Sequence, residues 1–153
     1  MRTAAVLVIA VIISVVGSVV LDQLFQPRDF AAALHAAATT RRNSPAAPEI
    51  MGKLRRAGEI TVYVADPIAG LIVGIFVGLV QKKHPVPVAL IGMVPHGLLE
   101  LVSDDIKSWS RSVFGVARYA ADSSLPFFAA FVGVVLARYL ITRRFRVSEM
   151  MEG

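Results

Sequence analysis

The sequence predicts an all-α integral membrane protein, with four transmembrane helices in a compact bundle plus one interfacial amphipathic helix. Of the 153 residues, 56% are hydrophobic and 18% are charged, whereas a soluble domain is about 45–50% apolar and about 25% charged. Apolar stretches of roughly 20 residues occur four times, and each is long enough to cross a hydrocarbon core about 30 Å thick. About 70 residues remain for loops and tails, so a separate water-soluble enzyme domain is excluded.

We expect one membrane domain over the whole chain. Its predicted parts are spans at about 3–22, 60–81, 85–103 and 123–142, an extramembrane loop over 23–59 and an interfacial helix over 104–122. The first span has no charge between Arg2 and Asp22 and no small-x-small cleavage site, which favours an uncleaved anchor over a signal peptide. The third span contains three prolines, so a kinked or re-entrant segment is the alternative there.

The first loop contains an alanine-rich run, RDFAAALHAAATTRR, that predicts a helix. Asn43-Ser44-Pro45 is a turn sequence that ends this helix. A hairpin on the bilayer surface and a docking surface for a partner are both compatible with the loop.

The third loop has the pattern of an amphipathic helix. Ser103 followed by two aspartates is typical of a helix N-terminus, because the hydroxyl caps the first turn and the acids lie at the positive end of the helix dipole. Apolar residues then recur at intervals of three and four. Trp109 and Tyr119 suit the headgroup zone, so we expect them to be interfacial anchors on a helix parallel to the membrane. A soluble-type helix packed on the loop is the alternative.

Glycines at intervals of four predict where helices touch. Gly70, Gly74 and Gly78 lie on one face of the second span, and glycines stacked in this way allow two helix backbones to approach closely in lipid. Gly92 shares a face of the third span with His96 and Glu100, and Gly133 lies on a face of small residues in the fourth. We expect all five glycines to be helix-packing residues, with the first three forming a glycine zipper.

Three polar residues inside the predicted spans form the candidate site. Consecutive spans run in opposite directions, so a rise of about 1.5 Å per residue places Asp66, His96 and Glu100 roughly 7, 3 and 9 Å from the membrane midplane, in one leaflet. An ionisable group at that depth normally pairs, faces water or becomes protonated. Two structural alternatives are open. Asp66-Pro67 is also typical of a helix start, and His96 with Glu100 can be a hydrogen-bonded pair beside the Pro95 kink.

The stretch from Pro95 to Glu100, Pro-His-Gly-Leu-Leu-Glu, resembles the Pro-His-Gly-x-x-Glu sequence of membrane proteins of the stage II sporulation protein M type. The likeness covers only this stretch. It implies a multi-spanning protein that acts through partners. The apolar helix of that family continues past the glutamate, whereas Ser103-Asp104-Asp105 predicts a helix end here.

The sequence contains no recognisable enzyme motif. It has no G-x-S-x-G, H-E-x-x-H, phosphate-binding or dinucleotide-binding pattern, and no cysteine for a disulfide, a thiolate metal site or a nucleophile. We therefore expect no enzyme activity, no catalytic residue, no metal and no cofactor. The net charge of +5 comes mainly from Arg and Lys at helix ends, which suits anionic lipid headgroups and gives no reason to expect nucleic-acid binding.

Two functions fit these observations. The first is a non-catalytic accessory, assembly or scaffold protein that acts through helix–helix contacts with other membrane-protein subunits or by self-association. The alternative is a small transporter or channel component that passes protons or cations via Asp66, His96 and Glu100. In both cases the predicted location is multi-pass, in the lipid bilayer of a bacterial inner membrane. Lys82 and Lys83 adjoin a helix end, which favours cytoplasmic termini, whereas the total count of basic residues in the loops favours the opposite orientation.

Overall fold

The computed structural model describes the backbone of residues 2–40, 44–103 and 113–151, and the side chains of residues 3–40, 44–99 and 116–143. All regular secondary structure within these ranges is helical, which confirms the predicted all-α class. The helices are α1 (Arg2–Phe25), α2 (Phe30–Thr39), α3 (Ala47–Ile60), a π-helical segment (Thr61–Ala65), α4 (Asp66–Val80), α5 (Pro85–Ser103) and α6 (Val113–Met151).

Three helical stretches are long and apolar enough to cross a membrane. They are Thr3–Phe25, Ala47–Val80 and Val116–Arg143. This finding indicates a membrane protein. The apolar part of α5 with described side chains, Pro85–Leu99, is shorter than a full span, so the fourth predicted span, 85–103, stays a prediction.

The second span does not begin at Asp66. The chain is helical without interruption from Ala47 to Val80, through α3, the π-helical segment and α4. Pro67 has no amide hydrogen, so the usual bond to the carbonyl four residues earlier cannot form there. The amide of Asp66 donates to the carbonyl of Thr61, five residues back, and this wider turn carries the helix into the proline. Asp66 therefore lies inside a helix and does not cap a free helix end.

The prediction of a separate interfacial helix over 104–122 is wrong for its second part. Residues 113–122 form the first turns of α6, which continues through Pro126 to Met151. The helix continues through Asp122-Ser123-Ser124, and the Ser124 hydroxyl donates to the carbonyl of Ala121 at 2.7 Å. Trp109 and the rest of 104–112 lie outside the described residues.

The long helices pack against one another, and α4 contacts α1, α5 and α6. In the first loop, α2 and α3 pack together and form an arm. Lys53 of α3 links the two helices of this arm by an ion pair at 3.4 Å to Asp29, the residue before α2, and it also pairs with Glu49 of its own helix at 3.2 Å. The buried apolar core lies between the long helices. It consists of Val6, Ala10, Val73, Val77, Val88, Ala89, Met93, Ala130 and Val134.

Glycines set the distance between α4 and α6. A Cβ atom added to Gly70 or Gly74 would overlap the backbone of α6 at Pro126 or Ala130. Gly133 faces α4 in the same way, since its added Cβ would lie 2.5 Å from the carbonyl oxygen of Leu71. Two helices can approach this closely only where no side chain separates their backbones.

Two further glycines lie at close contacts. An added Cβ atom on Gly78 would lie 2.7 Å from Cβ of Ala137 on α6. On Gly92 of α5 it would lie 2.8 Å from Cβ of Ala10 on α1. The structure thus places all five predicted packing glycines at helix contacts.

Arg138 closes the C-terminal end of α4. Its guanidinium donates hydrogen bonds to the carbonyls of Gln81 and Lys82, the latter at 2.9 Å. The last carbonyls of a helix have no partner within the helix and form its negative end. A cation at this position therefore satisfies two acceptors at once.

We expect Arg138→Met to destabilise the fold by about 1 kcal/mol, because the two carbonyls lose a charged donor at a partly exposed site. Thermal unfolding in a mild detergent measures the change. Arg143→Met on the same helix is the control, since Arg143 is exposed. An equal loss in both variants would contradict a capping role for Arg138.

Candidate functional site

Asp66 is the most buried charged side chain among the described residues, with 1% of its surface exposed. The hydroxyl of Ser18 on α1 donates to its Oδ1 atom at 2.6 Å. Nε2 of His96 on α5 lies 3.4 Å from the same oxygen. Ser18 and His96 are also buried, with 7% and 6% of their surfaces exposed. The three side chains, from three different helices, form one buried polar cluster.

The helical repeat brings these side chains together. On α1, residues at intervals of four share a face, so Ser14, Ser18 and Asp22 point to the same side. Ser14 donates to the carbonyl of Gly92 on α5 at 3.0 Å, and this bond holds α1 beside α5. One turn further along α5, His96 is brought next to Ser18 and Asp66.

A cavity of about 520 Å³ adjoins the cluster. Its polar lining includes three carboxylates, from Asp22, Asp66 and Asp122, together with His96. The remaining lining residues are Val15, Ser18, Val19, Gly58, Thr61, Val62, Leu99, Tyr119 and Ser123. The volume falls within the range of small-molecule sites, roughly 300–1,000 Å³.

Asp22 is held by neutral hydrogen-bond donors. It accepts hydrogen bonds from the hydroxyl of Thr61 and, at 2.6 Å, from the amide of Gln26. Thr61 is the first residue of the π-helical segment, so this contact fixes the segment against α1. The π-helical segment is thus bonded to α1 near both of its ends, by Thr61 to Asp22 and by Ser18 to Asp66.

Asp122 has a cationic partner. It accepts a hydrogen bond from the hydroxyl of Tyr63 at 2.9 Å, and Nε of Arg118 lies 3.5 Å from its other oxygen. This contact connects the π-helical segment to α6.

The cavity has more carboxyl groups than cationic partners. Among the described residues, Arg118 forms an ion pair with Asp122, whereas no lysine or arginine forms one with Asp22 or Asp66. Burial of an ionised carboxylate is costly unless a counter-charge, a proton or water compensates. The cavity leaves space beside these carboxyl groups.

The structure brings together two of the three predicted site residues, Asp66 and His96. Only the backbone of Glu100, in α5, is described, so its position relative to the pair stays a prediction. Tyr119, predicted as an interfacial anchor, lines the cavity from α6. No group of three or more His, Asp or Glu side chains in the described part of the chain is arranged to hold a metal ion.

Sequence reasoning missed most of the residues that bind the carboxylates. They are Ser18, Gln26, Thr61, Tyr63 and Arg118. Only Ser18 could have been found from the sequence, because it shares a four-residue spacing with Ser14 and Asp22.

A comparison of the chain with protein-family models, with curated proteins and with solved structures finds no significant match.

Proposed function

We propose that this protein is a small multi-pass membrane protein that passes protons or small cations, as a transporter or channel component of a bacterial inner membrane. One observation carries the proposal. A carboxylate that is 1% exposed, Asp66, lies between a serine and a histidine at the inner end of a cavity lined by two further carboxylates. Ionisable residues inside membrane helices are rare, and they typically mark ion or proton pathways.

The geometry assigns a role to each residue of the cluster. Asp66 is the group that takes up the proton or cation, since its second oxygen, Oδ2, is not the one that Ser18 and His96 approach. Ser18 orients the carboxylate through its hydroxyl. His96 places an imidazole ring, which can donate or accept a hydrogen bond, beside the same oxygen. The pair can thus pass a charge without placing it in hydrocarbon.

We expect Asp66→Asn to reduce proton or cation flux to the level of empty liposomes. The amide keeps the shape of the side chain and an acceptor for Ser18, but it can neither ionise nor pair with a cation. Flux is measured in proteoliposomes under an imposed membrane potential, with a pH-sensitive dye inside for protons and tracer uptake for monovalent cations.

Glu59→Gln is the matched control, since Glu59 forms an exposed ion pair with Arg55 at 3.0 Å. Its flux should equal that of the wild type. Gel filtration and thermal unfolding in detergent show whether each variant is folded. Wild-type flux in a folded Asp66→Asn variant would refute the proposal.

A second function, docking of another membrane-protein subunit, is favoured by the arm formed by α2 and α3. Leu34 and Met51 on this arm have 55% and 61% of their surfaces exposed. Exposed apolar side chains of this kind can form a contact surface for a partner. We rank this accessory or scaffold function below ion passage. Buried polar side chains point to a specific function, and they lie at the cavity, whereas α2 and α3 contain none.

A further inference from the structure

The cavity occupies only one half of the length of the packed helices. Its lining runs from Val15 to Asp22 on α1 and from His96 to Leu99 on α5. The opposite half contains the buried apolar core. All nine core residues lie on the far side of these limits, before Val15 on α1, beyond Asp66 on α4, before His96 on α5 and beyond Ser123 on α6. Packed apolar side chains therefore separate the cavity from the end of the molecule that holds the turn between α4 and α5.

The cavity extends to the arm. Gly58 of α3 lines it, and a Cβ atom added to Gly58 would meet no other atom within 4 Å. The lining contributed by α3 and the π-helical segment, Gly58, Thr61 and Val62, continues directly into the arm helices. The cavity thus adjoins α3, at the end of the molecule opposite to the turn between α4 and α5.

The two ends of the molecule also differ in their charged side chains. All carboxylates with described side chains lie at the cavity or in the arm. They are Asp22, Asp29, Glu49, Glu59, Asp66 and Asp122. At the opposite end, the described charged side chains are basic. They are Lys82, Lys83, Arg138 and Arg143. The arm and its surroundings also carry basic side chains, Arg28, Lys53, Arg55 and Arg56. The attraction for a cation therefore comes from the cavity itself, where Asp22 and Asp66 form no ion pair with a described lysine or arginine.

We infer, on the basis of the proposed function, that the cavity is a vestibule that admits small organic cations of the alkylammonium class from the arm side only. The carboxylates of Asp22 and Asp66 attract the ammonium group. The apolar walls, formed by Val15, Val19, Val62 and Leu99, accommodate its alkyl groups. Access from the opposite end is closed by the packed core.

Single cysteines test this inference cleanly, because the chain contains no natural cysteine. Val15→Cys places a thiol on the cavity wall. Val16→Cys, the neighbouring position, is the matched control, since Val16 is 55% exposed and does not line the cavity. The probes are trimethylammonioethyl methanethiosulfonate, a cation, and sulfonatoethyl methanethiosulfonate, an anion of similar size. In each case the thiolate displaces a sulfinate and forms a mixed disulfide.

We expect the cationic probe to label Val15→Cys at least about tenfold faster than the anionic probe, after correction for their rates with free thiol. Asp22→Asn in the same chain should reduce this ratio. Val16→Cys should react with neither probe. Two exposed reference positions report the sides: Glu49→Cys on the arm and Lys83→Cys at the basic end. Val15→Cys should be labelled only from the face that labels Glu49→Cys.

Equal rates for the two probes, labelling from both faces, or no labelling of Val15→Cys would overturn the inference. Val62→Cys on the opposite wall repeats the test if Val15→Cys does not fold. Labelling requires no transport, so the two proposals fail separately. Charge-selective labelling together with an Asp66→Asn variant of unchanged flux would leave the vestibule and remove the proposed ion pathway. Loss of flux in Asp66→Asn without charge-selective labelling would support the ion pathway and remove the vestibule.

Discussion

Gly74→Ala is expected to lower the free energy of unfolding by about 3 kcal/mol or more, at the upper end of the range for overpacked cores. The added methyl group would overlap the backbone of α6 at Ala130. A side chain could relieve this overlap by changing its rotamer, but backbone atoms cannot, so the two helices must separate. The small residues along the whole interface, from Gly70 to Ala137, would then lose contact together. Thermal or denaturant unfolding in a mild detergent measures the effect.

Gly52→Ala is the matched control for this substitution. Gly52 lies in α3, and a Cβ atom there would meet nothing within 4 Å. Alanine has the higher helix propensity, so this variant should be more stable than the wild type by about 0.5–1 kcal/mol. A Gly74→Ala variant as stable as the wild type would show that α4 and α6 are not in contact at this position.

Asp66→Ala is expected to destabilise the protein by about 2 kcal/mol, whereas Asp66→Asn should cost less than about 1 kcal/mol. Alanine removes the acceptor of the Ser18 hydroxyl and leaves a polar donor in an apolar contact. Asparagine keeps an acceptor oxygen at that position. The same unfolding measurement in detergent distinguishes the two variants.

A double-mutant cycle with Ser18→Ala isolates the contact between the two residues. Once the hydroxyl of Ser18 is absent, the further change of Asp66→Ala should cost less, with a coupling energy of about 0.5–3 kcal/mol. Additive losses would mean that Ser18 and Asp66 do not interact, and the buried cluster would then lack its shortest hydrogen bond.

The sequence determined the helical class and the composition of each helix face. Four-residue spacings placed three glycines on one face of α4, and the structure turns that face towards α6. The isolated acid in an apolar stretch, Asp66, singled out the candidate site, and His96 lies beside it. These features follow from local rules, because the helical repeat fixes which residues share a face whatever the partner helix is.

The tertiary structure decided which faces meet and where space remains between them. Ser18 reaches Asp66 across 48 positions of the chain, and no periodicity within one helix contains that pairing. The cavity forms where four helices diverge around Asp22, Asp66 and Asp122, so it depends on the volumes of all of them at once. The first turns of α6 likewise join the packed helices because Tyr63 bonds Asp122, although their pattern alone predicts a separate interfacial helix. Spacing along a chain specifies faces, whereas contact and empty space depend on how those faces fit together in three dimensions.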